Sequence, residues 1–168
     1  MILALPAPVV VLLIGVAGSG KTTLAHALAE QDPAAAVLSF DDCRAELAGD
    51  AGDQSVTPAA VDLTHARLAE RCAQHVSTVL DATSVRAEHR RVVLDLAAEH
   101  DVPVVAVVVD TPLETALARQ LDRPATRQVP VEVVRAQHAD LLASLSGLHT
   151  EGYAAVHLLR HPVEVPFF

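Results

Sequence analysis

Aromatic side chains are nearly missing from this chain: its 168 residues include three Phe, one Tyr and no Trp, although half are hydrophobic. A core must then be assembled from Ala, Val and Leu, which suits a buried parallel sheet covered by helices. Lysine is scarcer still. Lys21 is the sole lysine among 12 cationic residues, and the remainder are arginines. That bias points to genome composition, yet it leaves the one lysine inside a glycine-rich loop. Basic charge as a whole is short, 12 Lys and Arg against 21 Asp and Glu, for a formal net charge of −9. Such a balance provides no electrostatic footprint for long nucleic-acid contacts, which depend on neutralising phosphates. A small or end-on acceptor stays compatible with it.

Cysteine is also sparse. Cys43 and Cys72 are too few for a disulfide framework and neither stands in a metal-ligand cluster, so reduced thiols in a cytoplasmic protein are expected. No apolar run reaches the roughly 18 residues of a membrane helix. The opening "MILALPAPVVVLLIG" lacks a basic segment, is interrupted by Pro6 and Pro8, and runs into the glycine loop. It reads as a short tail and a first buried strand rather than a signal peptide. His65, His75, His89, His100 and His138 fall on expected helices or their ends without an H-x-x-x-H pair, so no histidine metal site is expected.

What is present alternates strand and helix. The pattern predicts strands over 8–14, 36–40, 78–80, 102–109 and 154–159, with Asp41 and Asp42 at the carboxyl end of the second and Asp81 and Asp110 ending the third and fourth. Helices are predicted over 22–30, 58–75, 86–99 and 130–145, with a further one opening at Pro112. Thr57 is the expected cap before Pro58. Thr111 is expected to cap the Pro112 helix, with Glu114 completing a capping box. Without a linker, repeat or low-complexity tract, residues 1–168 read as one domain.

Gly15-Val16-Ala17-Gly18-Ser19-Gly20-Lys21-Thr22 fits G-x-x-x-x-G-K-[ST] at every fixed position, between a predicted strand and a predicted helix. Glycines let successive N–H groups curl toward phosphate oxygens, and the following helix turns its positive end to the same anion. Gly15, Ala17, Gly18, Ser19, Gly20, Lys21, Thr22 and Thr23 are therefore the expected ATP contacts. Lys21 would reach the β- and γ-phosphates and the Thr22 hydroxyl would ligate Mg²⁺. The fold class is α/β, a P-loop NTPase-type parallel sheet flanked by helices. The alternative, a glycine-rich turn without ligand, fits the spacing and the lone lysine poorly.

A GTPase would need a guanine-reading N-K-x-D, which a chain with lysine only at position 21 does not have. An AAA-type ATPase would need a larger module and oligomer contacts. A short chain, an acid after the second strand and an arginine-rich stretch point to a small kinase. Asp41 is the candidate general base, since ligands of open α/β sheets sit at the carboxyl ends of strands. Arg44 would hold the acceptor or orient Asp41. Equally, Asp41 or Asp42 would serve as a plain helix cap.

Beyond the loop "GVAGSGKTT", the segments "SFDDCR", "DQSVT", "VLDATSV" and "ARQLDRPATRQV" resemble the kinase domain of bacterial polynucleotide kinase-phosphatase, over about Val9 to Leu159. Ser84 stands where that family usually has Asn. The resemblance implies that Asp41, not Asp42, activates a 5′-hydroxyl, that Arg44 contacts the acceptor end, and that Gln54 lines the acceptor pocket. It implies that Asp81 supports the metal's water shell or orients the arginine. Arg119, Arg123 and Arg127 match a helical lid whose arginines clamp the ATP phosphates; otherwise they are solvated charge paired with Asp122. The expectation is an ATP- and Mg²⁺-dependent kinase acting on a 5′-OH polynucleotide end. The alternatives are a kinase for a small hydroxyl substrate (nucleoside, sugar or antibiotic) and a nucleotide-binding regulatory module. Neither a membrane nor an obligate protein partner is implied.

Overall fold

A computed structural model of the protein describes residues 5–160. The first four residues of the expected tail lie outside them. Five strands form one parallel sheet: β1 (Val10–Ile14), β2 (Ala36–Ser39), β3 (Thr78–Asp81), β4 (Val104–Asp110) and β5 (Ala155–Arg160), in the order β2-β3-β1-β4-β5. After β1 the chain runs to one side through β2 and β3, then crosses to the other for β4 and β5. A crevice therefore opens at the carboxyl end of β1, the place where such sheets bind ligands.

The central strands are apolar on both faces, and alternation sorts them. Val10, Leu12 and Ile14 join Leu80, Ala106 and Val108 under four helices: α3 (Thr57–Ala73), α4 (Ala87–Ala98), α5 (Leu113–Leu121) and α6 (Val131–Ser144). Val9, Val11 and Leu13 face the other way with Val105 and Val107, against Leu24, Ala25 and Leu28 of α1 (Lys21–Ala29). The aromatic-poor core expected from composition is thus built of Val, Leu, Ile and Ala, shapes that pack on a pleated surface.

Three local expectations are corrected. β2 stops at Ser39, whose Oγ accepts from the Asp42 N–H at 3.0 Å, so Asp41 and Asp42 fall in the first turn of helix α2 (Phe40–Ala48) instead of ending a strand. Thr57 is not a cap: a short 3₁₀ turn at Gln54–Val56 leads directly into α3, and Thr57 is already helical. Thr111 is not a cap either: Pro112 occupies the cap position of α5 with no side-chain capping bond, and the Thr111 hydroxyl donates 2.9 Å to the Ser19 carbonyl in the glycine loop, ninety-two residues away in sequence.

Candidate active site

β1 delivers the glycine loop, and glycine is required twice in its curl. Gly18 and Gly20 have φ of +85° and +98°, and a Cβ on Gly18 would lie 2.5 Å from the Ala116 carbonyl oxygen. Gly15 is also confined, with Val109 O 2.9 Å from where its Cβ would sit. Gly20 then caps α1, whose first turn carries no acid of its own.

Neighbouring elements fasten this loop from four sides. The Gly15 N–H donates to Thr83 O at 3.0 Å, Thr111 holds Ser19, and Arg119 on α5 donates to the carbonyls of Gly18 and Ser19 at 3.2 Å each. From α6, Gln137 Oε1 accepts the Ala17 N–H at 2.9 Å. Lys21 spans the loop, its Nζ donating to Val16 O at 2.8 Å and reaching Ser19 Oγ at 3.4 Å. Burial lowers the Lys21 pKa to about 8; Asp81 and Asp41 pull it back up, and Arg123 pushes it further down. The ammonium is thus held dehydrated, beside two carboxylates and an arginine, at the mouth of the phosphate cradle.

One cleft of about 630 Å³ gathers most of the expected residues. Ala17, Gly18, Gly20, Lys21, Thr22 and Thr23 form its floor, with Asp81 beside them. Asp41, Arg44 and Gln54 of the α2 side line the same cleft as Arg119, Arg123 and Arg127 of the lid side. Gly15 and Ser19 lie behind the floor, where they shape the loop. The Thr22 hydroxyl donates 2.6 Å to Asp81 Oδ2, so a hydroxyl and a carboxylate of opposite elements meet at one point. Among the described residues no group of three or more His, Cys, Asp or Glu could hold a metal. A hydroxyl–carboxylate pair beside a phosphate cradle nevertheless fits Mg²⁺, which is bound by one or two protein oxygens plus substrate phosphates.

Because Ser39 caps α2, neither acid is needed for that task. Asp41 is half exposed and paired with Arg44, whose Nε also donates to Ala51 O at 2.8 Å. No ion pair of Asp122 with the lid arginines is found among the described residues.

Sequence reasoning missed Gln120 and Gln137. Both sit on the buried stripe of their helices, Gln120 four residues after Ala116 and Gln137 between Val134 and Leu141, and a polar amide in apolar phase was the available signal. Gln120 is 4% exposed, and its Oε1 accepts the Val129 N–H at 3.1 Å while its Nε2 has no partner among the described residues.

A family model described as an AAA domain matches residues 10–148. No curated protein matches the sequence. Among solved structures, a chain of the Pnkp1/Rnl/Hen1 RNA repair complex is similar at TM-score 0.73 and 18% identity, over 85% of this chain and 47% of that one. The present chain thus spans about half the length of that relative. A sugar kinase from Janibacter sp. HTCC2649 is similar at TM-score 0.63 and 22% identity, over 94% and 88% of the two chains. The Mycobacterium tuberculosis APS kinase CysC, solved with AMPPNP and APS, is similar at TM-score 0.55 and 25% identity, over 69% and 70%. The shared architecture is that of P-loop kinases.

Proposed function

The chain belongs to the AAA-domain family, and from the residues gathered in its cleft we propose that it is an ATP- and Mg²⁺-dependent kinase transferring the γ-phosphate to a hydroxyl, with the 5′-OH end of DNA or RNA as acceptor. In this chain the AAA-described domain has a P-loop kinase-like fold, which supports a kinase over an AAA-type motor. One observation carries the reading. Asp41, paired with Arg44, faces the same cleft as Lys21 and three lid arginines.

Each group then has a task. The amides at the start of α1 and the Lys21 ammonium hold the β- and γ-phosphates. Thr22 and Asp81 would hold Mg²⁺, which supplies charge neutralisation when bound. Arg44 presents the acceptor end and keeps the Asp41 carboxylate turned inward. Asp41 takes the hydroxyl proton as the oxygen attacks the γ-phosphorus and the bond to the β-phosphate oxygen breaks. Arg123 and Arg127 stabilise charge spreading over the transferring group.

Incubation with γ-labelled ATP and 5′-OH oligonucleotides at low salt tests the acceptor. Label is expected on the oligonucleotide end, and its absence with both DNA and RNA would remove the polynucleotide. A small hydroxyl substrate is the second reading, favoured by the net charge of −9, which offers a long phosphate chain little to hold. ATP consumption across a metabolite panel, without oligonucleotide competition, would select it. Stoichiometric ATP binding without turnover on any acceptor would leave the regulatory module.

A further inference from the structure

The loop after α2 and the lid, both lining the cleft, touch at a position with no side chain. A Cβ on Gly52 would stand 2.5 Å from the Thr126 carbonyl oxygen, closer than any real contact, so only glycine lets the loop and the lid meet as they do. Both residues line the cleft.

Neither side is slack. The Gly52 N–H donates 2.8 Å to Asp50 Oδ1, and the preceding carbonyl, Ala51 O, is gripped by Arg44. Across the gap Thr126 lies in a 3₁₀ turn, Ala125–Arg127, closed by the Arg127 N–H to Pro124 O at 2.8 Å and by Gln128 Nε2 to Arg123 O at 2.8 Å. Gln120 anchors the far end of the lid through the Val129 N–H. A methyl group at position 52 would therefore displace the lid as a body, carrying Arg123 and Arg127 with it.

We propose that Gly52 is the seat on which the lid closes, a positioning residue that sets how far Arg123 and Arg127 descend and so shuts water out of the phosphoryl-transfer site. The proposal rests on the kinase reading above. It also explains the double bonding of Arg44: one guanidinium holds both Asp41 and the loop that receives the lid, so the acid is in place only where the seat is.

The test uses the full chain with Gly52→Ala and Gly52→Val. Under saturating ATP and Mg²⁺, tryptic cleavage after Arg127, followed by mass spectrometry, should be slow in the unmodified protein and faster by about tenfold in Gly52→Val, with Gly52→Ala between them. In parallel the ratio of free phosphate to phosphorylated acceptor should rise in the same order while the Kd for ATP stays near its original value. Wild-type cleavage rates and wild-type partition in both variants would overturn the seat, as would a lid that ATP does not protect in the unmodified protein. If Gly52→Val fails to fold, the single methyl of Gly52→Ala decides. A chain that transfers phosphate to no acceptor would count against the kinase reading alone, since the cleavage readout still judges the seat.

Discussion

At the scale of single residues, Lys21 makes a measurable commitment. With its pKa brought down to about 8 by burial, the free protein loses this charge as pH rises through that value. A bound triphosphate favours the charged form and raises the pKa again. Binding near neutral pH then needs little proton uptake, whereas binding above pH 8 must take up a proton. ATP affinity should accordingly fall by up to about tenfold per pH unit above 8. Calorimetry in buffers of differing ionisation enthalpy checks it, and a proton count that stays at zero at alkaline pH would show that Lys21 does not meet the phosphates. Asp41 makes the complementary commitment. Since Ser39 already caps α2, Asp41→Asn should leave the helix intact and ATP affinity unchanged while slowing transfer by about 10²–10⁴-fold, the size of general-base catalysis. Equal losses in ATP binding and rate would place the carboxylate elsewhere in the cycle.

At the scale of elements, the cleft depends on bonds between segments remote in sequence. Arg90 of α4 is fully buried, donates from Nη1 to the carbonyls of Ser84 and Val85, and pairs with Glu151 just before β5. It thereby ties the turn after Asp81 to the end of the chain's last crossover. Arg90→Met should cost about 3 kcal/mol, the low end for breaking a buried pair, because Glu151 keeps some solvent exposure. Urea unfolding measures it, and a loss near zero would mean the pair behaves like a surface one. Gln137→Leu should act differently, leaving the Ala17 N–H without its partner and raising the Kd for ATP by about tenfold with a smaller effect on global stability.

Those elements also mark the limit of legibility. The glycine loop could be read from spacing because its chemistry is contained in eight consecutive residues. The buried, central place of β1 followed from its continuous β-branched run, whereas strand order is set by pairings between distant segments and had no local signal. Thr111 and Thr57 were misread because local cap rules do not count a side chain turned to a distant loop, with the helix starting one residue later, or a preceding turn that extends the helix. Gln120 and Gln137 showed only as polar amides in apolar helical phase and Gly52 showed no pattern at all: their contacts exist only where α5, α6 and the lid meet segments read separately.

At the scale of the whole molecule, an acidic surface must coexist with a cleft that collects Lys21, Arg44 and three lid arginines. In the proposed kinase Lys21 and the lid arginines would face the triphosphate, and Arg44 alone would serve the acceptor, with its charge already shared with Asp41. A polynucleotide would therefore be gripped at its end and repelled along its length. The dependence of acceptor KM on salt should be shallow, with a logarithmic slope of about 0.7 for each phosphate held and only about one or two held. Lengthening a 5′-OH oligonucleotide beyond its first few residues should not lower KM, because a net charge of −9 opposes further phosphate contacts. A steep slope, or KM falling steadily with length, would require a cationic path that the charge balance opposes and would point to a partner supplying it. A neutral hydroxyl substrate would instead give a KM almost indifferent to salt, so one titration separates the two acceptor classes by the number of phosphates the protein neutralises.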